Sequence, residues 1–121
     1  MKCPKCRTET LRALVVDDTE VDRCRTCDGI WFDPGELGSL LDSNEERLSP
    51  LLAQPAAEGA HDQRAGCCPR HPSATMLQIK SMRNREVAVE TCPLCRGIWL
   101  DGGEFLRIRE KMPHLRLGDL V

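Results

Sequence analysis

The chain has 121 residues, a formal net charge of −2, 40% hydrophobic residues, only 3% aromatic residues and eight cysteines. So few large side chains cannot fill a core of ordinary size, and small domains of this kind depend on disulfides or metal ions, because burial alone barely offsets the chain entropy lost on folding. A net charge this close to zero neither favours nor excludes a nucleic-acid partner.

The cysteines indicate metal binding once the compartment is considered. The N-terminus has no apolar run of signal-peptide length, and no stretch of about 18 apolar residues could cross a membrane. We therefore expect a cytoplasmic protein with no membrane partner. Thiols stay reduced in the cytoplasm, so CxxC pairs favour metal ligands over a disulfide framework.

Two copies of one unit make up most of the sequence. Residues 24–37 recur 68 positions later as residues 92–105, and CPKC at 3–6 corresponds to CPRH at 68–71, with an offset of 65. The second copy therefore holds three extra residues between its half-sites. We predict one domain at 1–48, a linker at 49–66, and a second domain with a C-terminal helix and tail at 67–121.

Each copy is predicted to contain a β-hairpin. In the first copy, apolar residues at 11–16 and the segment 20–23 flank a turn-prone sequence at 17–19. In the second copy, 76–80 and 86–91 flank a turn at 81–85, and the valines alternate with the period of a strand.

A short helix should follow each hairpin. Asp33 with Glu36, and Asp101 with Glu104, have the spacing of a capping box at a helix start. The expected buried stripes are Leu37, Leu40 and Leu41 in the first helix and Phe105, Ile108 and Met112 in the second, which Pro113 should end. Because capping explains the spacing and repetition of these carboxylates, we do not assign them to acid–base catalysis.

The CxxC half-sites predict one zinc ion per copy. Zn²⁺ prefers four sulfur or nitrogen ligands, and a closed site with four protein ligands is structural, because no position remains for water or substrate. The predicted ligands are Cys3, Cys6, Cys24 and Cys27 in site one, and Cys68, His71, Cys92 and Cys95 in site two. His71 is assigned because it falls where the first copy has Cys6.

Several other residues have simpler explanations. Cys67 could replace a ligand in a shifted register, but the proline of CPxC aligns Cys68 with Cys3, which leaves Cys67 as a free thiol. His61 and His114 have no second donor at ligand spacing. The tryptophans at 31 and 99 are expected to cover the metal sites and pack on the helices, and the glycines at 29 and 97 to allow a tight turn.

The pattern CPxC…CxxCxGIWxDxGEL resembles the zinc-ribbon family named for transcription factor IIB, of the kind found in small bacterial proteins. The resemblance covers about residues 1–41 and 67–107. It implies a zinc-ribbon fold and metal ligation by the seven cysteines of the two sites, and the second copy departs from it at His71. The predicted fold class is a small metal-stabilised α+β protein with tandem zinc ribbons, each a pair of zinc knuckles with a β-hairpin followed by a short α-helix.

Three functions remain open at this point. The first is a non-enzymatic module that binds a protein partner and no small-molecule substrate, with the role in transcription that the family name implies. The second is nucleic-acid binding by the second copy, whose basic residues include Lys80, Arg83, Arg85, Arg107, Arg109, Lys111 and Arg116. The third is iron binding with electron transfer, since CPLC at 92–95 looks like a rubredoxin knuckle and thiolates accept either metal.

Overall fold

The first copy forms the predicted hairpin. In the computed structural model, which describes residues 1–7, 9–43, 45–51, 66–80 and 87–110, strand β1 (Arg12–Val16) pairs antiparallel with β2 (Thr19–Arg23). Asp17 and Asp18 form the two-residue turn with φ of 48° and 62°. Both central residues of a type I′ hairpin turn need positive φ, which Asp tolerates better than most residues.

A third strand follows in each copy, at the sequence Ile-Trp-Phe or Ile-Trp-Leu that the hairpin prediction left out. Strand β3 (Ile30–Phe32) pairs with β2. In the second copy β4 (Leu77–Lys80) pairs with β5 (Ala88–Thr91), and β5 pairs with β6 (Ile98–Leu100). The predicted turn at 81–85 lies outside the described residues.

The two copies share one sheet. Strands β3 and β6 pair antiparallel with Trp31 opposite Trp99, which produces six strands in the order β1-β2-β3-β6-β5-β4. This order reads the same from both edges, so the halves are related by an approximate twofold axis through the β3–β6 pair. The predicted domain boundaries stay a prediction, since most of the linker lies outside the described residues.

Alternate residues of the central strands line two different clusters. Ile30 and Phe32 face a hydrophobic cluster that both helices join, whereas Trp31 between them faces a cluster that contains the cysteines. The period of two therefore separates a helix side from a cysteine side of the sheet. On the helix side, the Phe32 and Phe105 rings are stacked with centroids 6.0 Å apart.

The helices lie where they were predicted, but their N-termini are built differently. Helix α1 (Glu36–Leu41) has Gly35 as its N-cap with φ 89° and no side-chain cap hydrogen bond. The Asp33 N–H donates to Glu36 Oε1 at 2.8 Å, which is half of a capping box. The Asp33 carboxylate accepts instead from Trp31 Nε1 at 3.1 Å. The prediction that Asp33 caps α1 was therefore wrong, because the tryptophan indole competes for the same acceptor.

Helix α2 (Glu104–Glu110) repeats this arrangement. The Asp101 N–H donates to Glu104 Oε1 at 2.7 Å, and Trp99 Nε1 donates to Asp101 Oδ1 at 2.9 Å. Phe105 and Ile108 are buried as predicted. The predicted helix end at Pro113, together with Met112, lies outside the described residues.

A 3-10 helix (Glu45–Leu51) follows α1 and packs against the first hairpin. Leu48 and Leu51 are buried in the helix-side cluster. Arg47 Nη1 donates to Asp17 Oδ1 at 2.7 Å, so an ion pair also joins the 3-10 helix to the hairpin turn. Within the described ranges, no helix has the length and apolar character needed to span a membrane.

Candidate metal centres

The four predicted ligands of site one converge. The sulfur atoms of Cys3, Cys6, Cys24 and Cys27 all lie within 4.8 Å of one another. Cys3 and Cys27 are 3.8 Å apart at sulfur, and Cys6 and Cys24 are 3.9 Å apart. A tetrahedron with Zn–S bonds of about 2.3 Å has S···S edges of about 3.8 Å, so this cluster has the dimensions that zinc requires.

Tight turns aim these sulfurs at one point. The Cys6 N–H donates to Cys3 Sγ at 3.3 Å, and Arg7, which follows the second cysteine, has φ of 67°. Asp28 follows the other cysteine pair in the same left-handed conformation, with φ of 60°, and its N–H donates to the Cys24 carbonyl at 3.0 Å. Each knuckle thus combines a left-handed residue with a backbone donor directed at sulfur or carbonyl.

Site two assembles three of its four predicted ligands. The sulfur atoms of Cys68, Cys92 and Cys95 lie within 4.8 Å of one another, with Cys68 and Cys95 separated by 3.8 Å. The His71 N–H donates to Cys68 Sγ at 3.3 Å, as Cys6 does to Cys3, but the exposed imidazole is not part of this group of donor atoms. Ligation by His71 stays a prediction.

Pro72 explains why the His71 knuckle departs from its counterpart. Pro72 occupies the position of Arg7, whose φ of 67° no proline can adopt, because the proline ring fixes φ near −65°. A residue before proline is also held in extended conformations, which restricts His71 itself. The chain turns instead with the Ala74 N–H donating to the His71 carbonyl at 2.8 Å. The sequence carried this signal at Pro72, and the ligand pattern alone missed it.

Burial and mutual hydrogen bonding set the protonation of the thiols. The bond from Cys27 lowers the pKa of Cys3 to about 5 and raises that of Cys27. Burial raises the pKa of Cys6 to about 11 and of Cys68 to about 12. Because several ligands are held as thiols and metals bind thiolates, metal binding at both sites should release protons.

Each tryptophan packs against the knuckle of the other copy. A Cβ atom on Gly97 would lie 2.1 Å from Trp31 Cζ2, and one on Gly29 would lie 2.1 Å from Trp99 Cζ2. Both rings are fully buried, as predicted, but in the cysteine-side cluster and not on the helices. The expected role of the glycines was wrong, because positive φ falls on the preceding residue, and the glycine is needed for the partner ring.

A buried lysine joins the first copy to the second. Lys5 lies between the cysteines of the first knuckle, and its side chain is 1% exposed. Its Nζ lies 2.5 Å from Glu90 Oε2 and 3.1 Å from Asp101 Oδ2. Burial raises the pKa of Glu90, and Lys5 and the Gly66 N–H oppose that shift. Sequence analysis missed this contact because its members lie about 90 residues apart.

The symmetric contact on the other side is exposed. Arg70 stands in the second copy where Lys5 stands in the first, and its Nε and Nη2 donate to the two oxygens of Asp33 at 2.5 and 2.6 Å. The Arg70 hydrogen bond lowers the pKa of Asp33. The Arg70 and Asp33 side chains remain 44% and 29% exposed. Asp33 and Asp101 thus each accept a hydrogen bond from the tryptophan of their own copy. Each also pairs with the basic residue in the first knuckle of the other copy.

The chain matches the family described as transcription factor zinc-finger, of the transcription factor IIB zinc-ribbon type, over residues 2–43 and 72–111. That is more than half of the chain. The protein belongs to this zinc-ribbon family. The second match begins after Cys68 and His71, at the knuckle that Pro72 alters. No curated protein and no solved structure matches the sequence.

The remaining candidate residues of this zinc ribbon protein that the structure describes are not members of the thiol clusters. Cys67 is exposed and makes an isolated β-bridge with Thr75. Arg109 donates to the Leu41 carbonyl, and Arg107 pairs with Glu104, so these two predicted nucleic-acid contacts already have partners inside the protein. Lys80 is exposed. The other predicted positions lie outside the described residues: Arg83, Arg85, Lys111, Arg116, His61 and His114.

Proposed function

We propose that this protein is a non-enzymatic zinc protein that holds two Zn²⁺ ions. It binds a protein partner through a cleft between the first knuckle of each copy, at residues 3–6 and 68–71. The observation that carries the proposal is the position of this cleft. It is about 480 Å³ in volume and both copies line it. The shared sheet therefore builds a surface that neither copy has alone.

The lining of the cleft combines apolar residues with basic residues. Its apolar lining includes Met1, Pro4, Pro69 and Pro72, and its charged lining residues are Lys2 and Arg7. No acidic residue is among the described residues that line it. The complementary partner is a peptide segment with an apolar side chain flanked by carboxylates, because opposite charges across an interface favour association and like charges oppose it.

The chemistry of the site supports a structural role for the metal. Site one brings four thiols together in a cluster that also contains the fully buried Trp31, and four protein ligands leave a bound ion no open position for substrate. The metal holds the knuckles in place and supplies folding free energy. The knuckles in turn position the lining residues of the cleft.

The partner can be tested with a displayed library of peptides that combine acidic and apolar residues. Zinc-loaded protein should select ligands that bind the double variant Lys2→Glu, Arg7→Glu about tenfold or more weakly. Arg12→Glu is the matched control, since Arg12 is an exposed arginine on β1 outside the cleft, and it should bind as the natural protein does. Zinc content and circular dichroism establish that each variant is folded.

Equal binding by the charge-reversed variant would overturn the cleft as the partner site. Variants of the basic residues of the second copy distinguish a nucleic-acid partner. Retention of random-sequence DNA or RNA at low salt that depends on Lys80, Arg83 and Arg85, with a steep salt dependence, would replace the protein-binding proposal. A red protein with visible charge-transfer bands after native purification would replace zinc by iron.

A further inference from the structure

The edge strand of the second copy carries exposed apolar side chains. Leu77 and Ile79 on β4 are 54% and 46% exposed. Ile79 lies opposite Val89, which is buried in the helix-side cluster, so Ile79 is on the same side of the sheet as that cluster, on the edge strand. An exposed apolar edge strand invites pairing with other chains, and proteins usually cover or charge such an edge.

The equivalent surface of the first copy is covered by its own chain. Leu14 lies opposite Val21, as Ile79 lies opposite Val89. Leu14 is only partly exposed and packs against the cluster that contains Leu48 and Leu51 of the 3-10 helix. The first copy therefore shows which side chains can cover this surface, namely two leucines one helical turn apart.

The sequence repeats this covering segment at its C-terminus. Residues 47–52 read RLSPLL, and residues 116–121 read RLGDLV. Leu48 and Leu51 follow the end of α1 at Leu41 by seven and ten residues, and Leu117 and Leu120 follow the end of α2 at Glu110 by the same distances. Because α1 and α2 are symmetry-related, a chain of equal length can reach the equivalent surface.

We propose that the C-terminal segment 116–121, which lies outside the described residues, docks on β4 and covers Ile79 with Leu117 and Leu120. The occupant is this segment of the same molecule and not a second copy. It completes the helix side of the second copy as the 3-10 helix completes that of the first. The surface is then closed by the chain itself, and partner binding falls to the cleft between the knuckles.

The test uses the zinc-loaded full chain with labelled isoleucine δ1 and leucine methyl groups. The chain has four isoleucines, at 30, 79, 98 and 108, so the Ile79 methyl signal can be assigned by Ile79→Val. We expect nuclear Overhauser contacts from the Ile79 methyl to Leu117 and Leu120. The variant Leu117→Ser, Leu120→Ser should lose both contacts and shift the Ile79 signal, while the Ile30 and Ile98 signals stay in place.

Leu115→Ser is the matched control, because Leu115 lies in the same segment but outside the repeated motif, and it should keep both contacts. A sample that mixes labelled and unlabelled chains separates contacts within a molecule from contacts between molecules. Absence of the Ile79 contacts in the natural protein, or their appearance between chains, would overturn the proposal. Because the substituted leucines lie beyond the described core, zinc content and the Ile30 signal report whether the fold is intact.

Discussion

The two copies place a cation and an aspartate at matching positions, yet the contacts that join the copies differ in burial. Lys5 of the first copy reaches Asp101 with its side chain 1% exposed, whereas Arg70 of the second reaches Asp33 with its side chain 44% exposed. A buried ion that loses its partner is costly, while an exposed pair contributes little. The repeat therefore fixes the geometry of the junction, and burial decides how much each contact contributes.

The metal sites differ in a second way. Site one brings four sulfurs together, and site two brings three, with His71 held beside Pro72. The two sites therefore differ in how many ligands come together, although their CxxC and CxxH spacings are the same. The predictions that follow set the two copies against each other, from the largest expected effect to the smallest.

Metal removal should have the largest effect. Metal binding in such domains supplies on the order of 10–16 kcal/mol of folding free energy, so stripping both ions should abolish the folded circular dichroism signal. We expect a chelator with a colorimetric zinc readout to remove one ion ahead of the other. Site two should release first, because only three of its donors are assembled.

Two variants identify the site that releases first. His71→Cys should slow the faster phase, and Cys6→His should accelerate the slower one. Unchanged circular dichroism after both ions are lost would contradict the structural role of the metal. Simultaneous release of the two ions would remove the difference between the sites.

Removing the buried cation should have the next largest effect. Lys5→Met leaves Glu90 and Asp101 as buried carboxylates without their cation, which typically costs about 3–5 kcal/mol. Arg70→Met is the control and should cost at most about 1 kcal/mol, since its pair with Asp33 is exposed. Urea unfolding of the zinc-loaded proteins measures both, after zinc content has been matched. Equal costs would mean that burial does not separate the two contacts.

Adding a methyl group at the knuckle should have a moderate effect. Gly29→Ala places a Cβ within 2.1 Å of the buried Trp99 ring, and overpacking of this kind costs about 1–3 kcal/mol. Gly97→Ala should do the same against Trp31. Gly38→Ala is the control, because a Cβ there meets nothing within 4 Å and removing a helical glycine stabilises by about 0.5–1 kcal/mol. Thermal stability should fall and tryptophan fluorescence should change in the two knuckle variants, whereas Gly38→Ala should do neither.

The smallest expected effect is a change in acid sensitivity. Asp17 accepts from Ser43 Oγ at 2.6 Å and from Arg47, and the Ser43 hydrogen bond and then Arg47 lower its pKa. A carboxyl whose folded pKa is lowered stabilises the fold above its ordinary pKa and loses that contribution as pH falls through the folded value. The melting temperature of the natural protein should therefore fall more steeply on acidification than that of Asp17→Asn.

Asparagine suits this comparison because it tolerates the positive φ at position 17. Parallel acid profiles for the two proteins would show that the Asp17 contacts do not help to hold the 3-10 helix. Zinc release at low pH must be followed in the same samples, so that only the range in which both proteins stay loaded is compared.

Local patterns predicted the elements that have local causes. The hairpins, the positions of α1 and α2, and the convergence of Cys3, Cys6, Cys24 and Cys27 all follow from short-range spacing. Strands β3 and β6 escaped prediction because three apolar residues are too short to show a period. The prediction that Asp33 caps α1 was wrong because its carboxylate accepts hydrogen bonds from Trp31 and from Arg70 of the other copy.

The sequence by itself determined that there are two copies, that each brings cysteines together at a predicted metal site, and that each has a hairpin and a helix. These features depend on residues close in sequence or matched by the repeat. Only the tertiary structure decided that the copies share one sheet, that each tryptophan packs against the glycine of the other copy, and that Lys5 is buried against the second copy. Those contacts join residues 66 to 96 positions apart, and a single sequence carries no local signal for them.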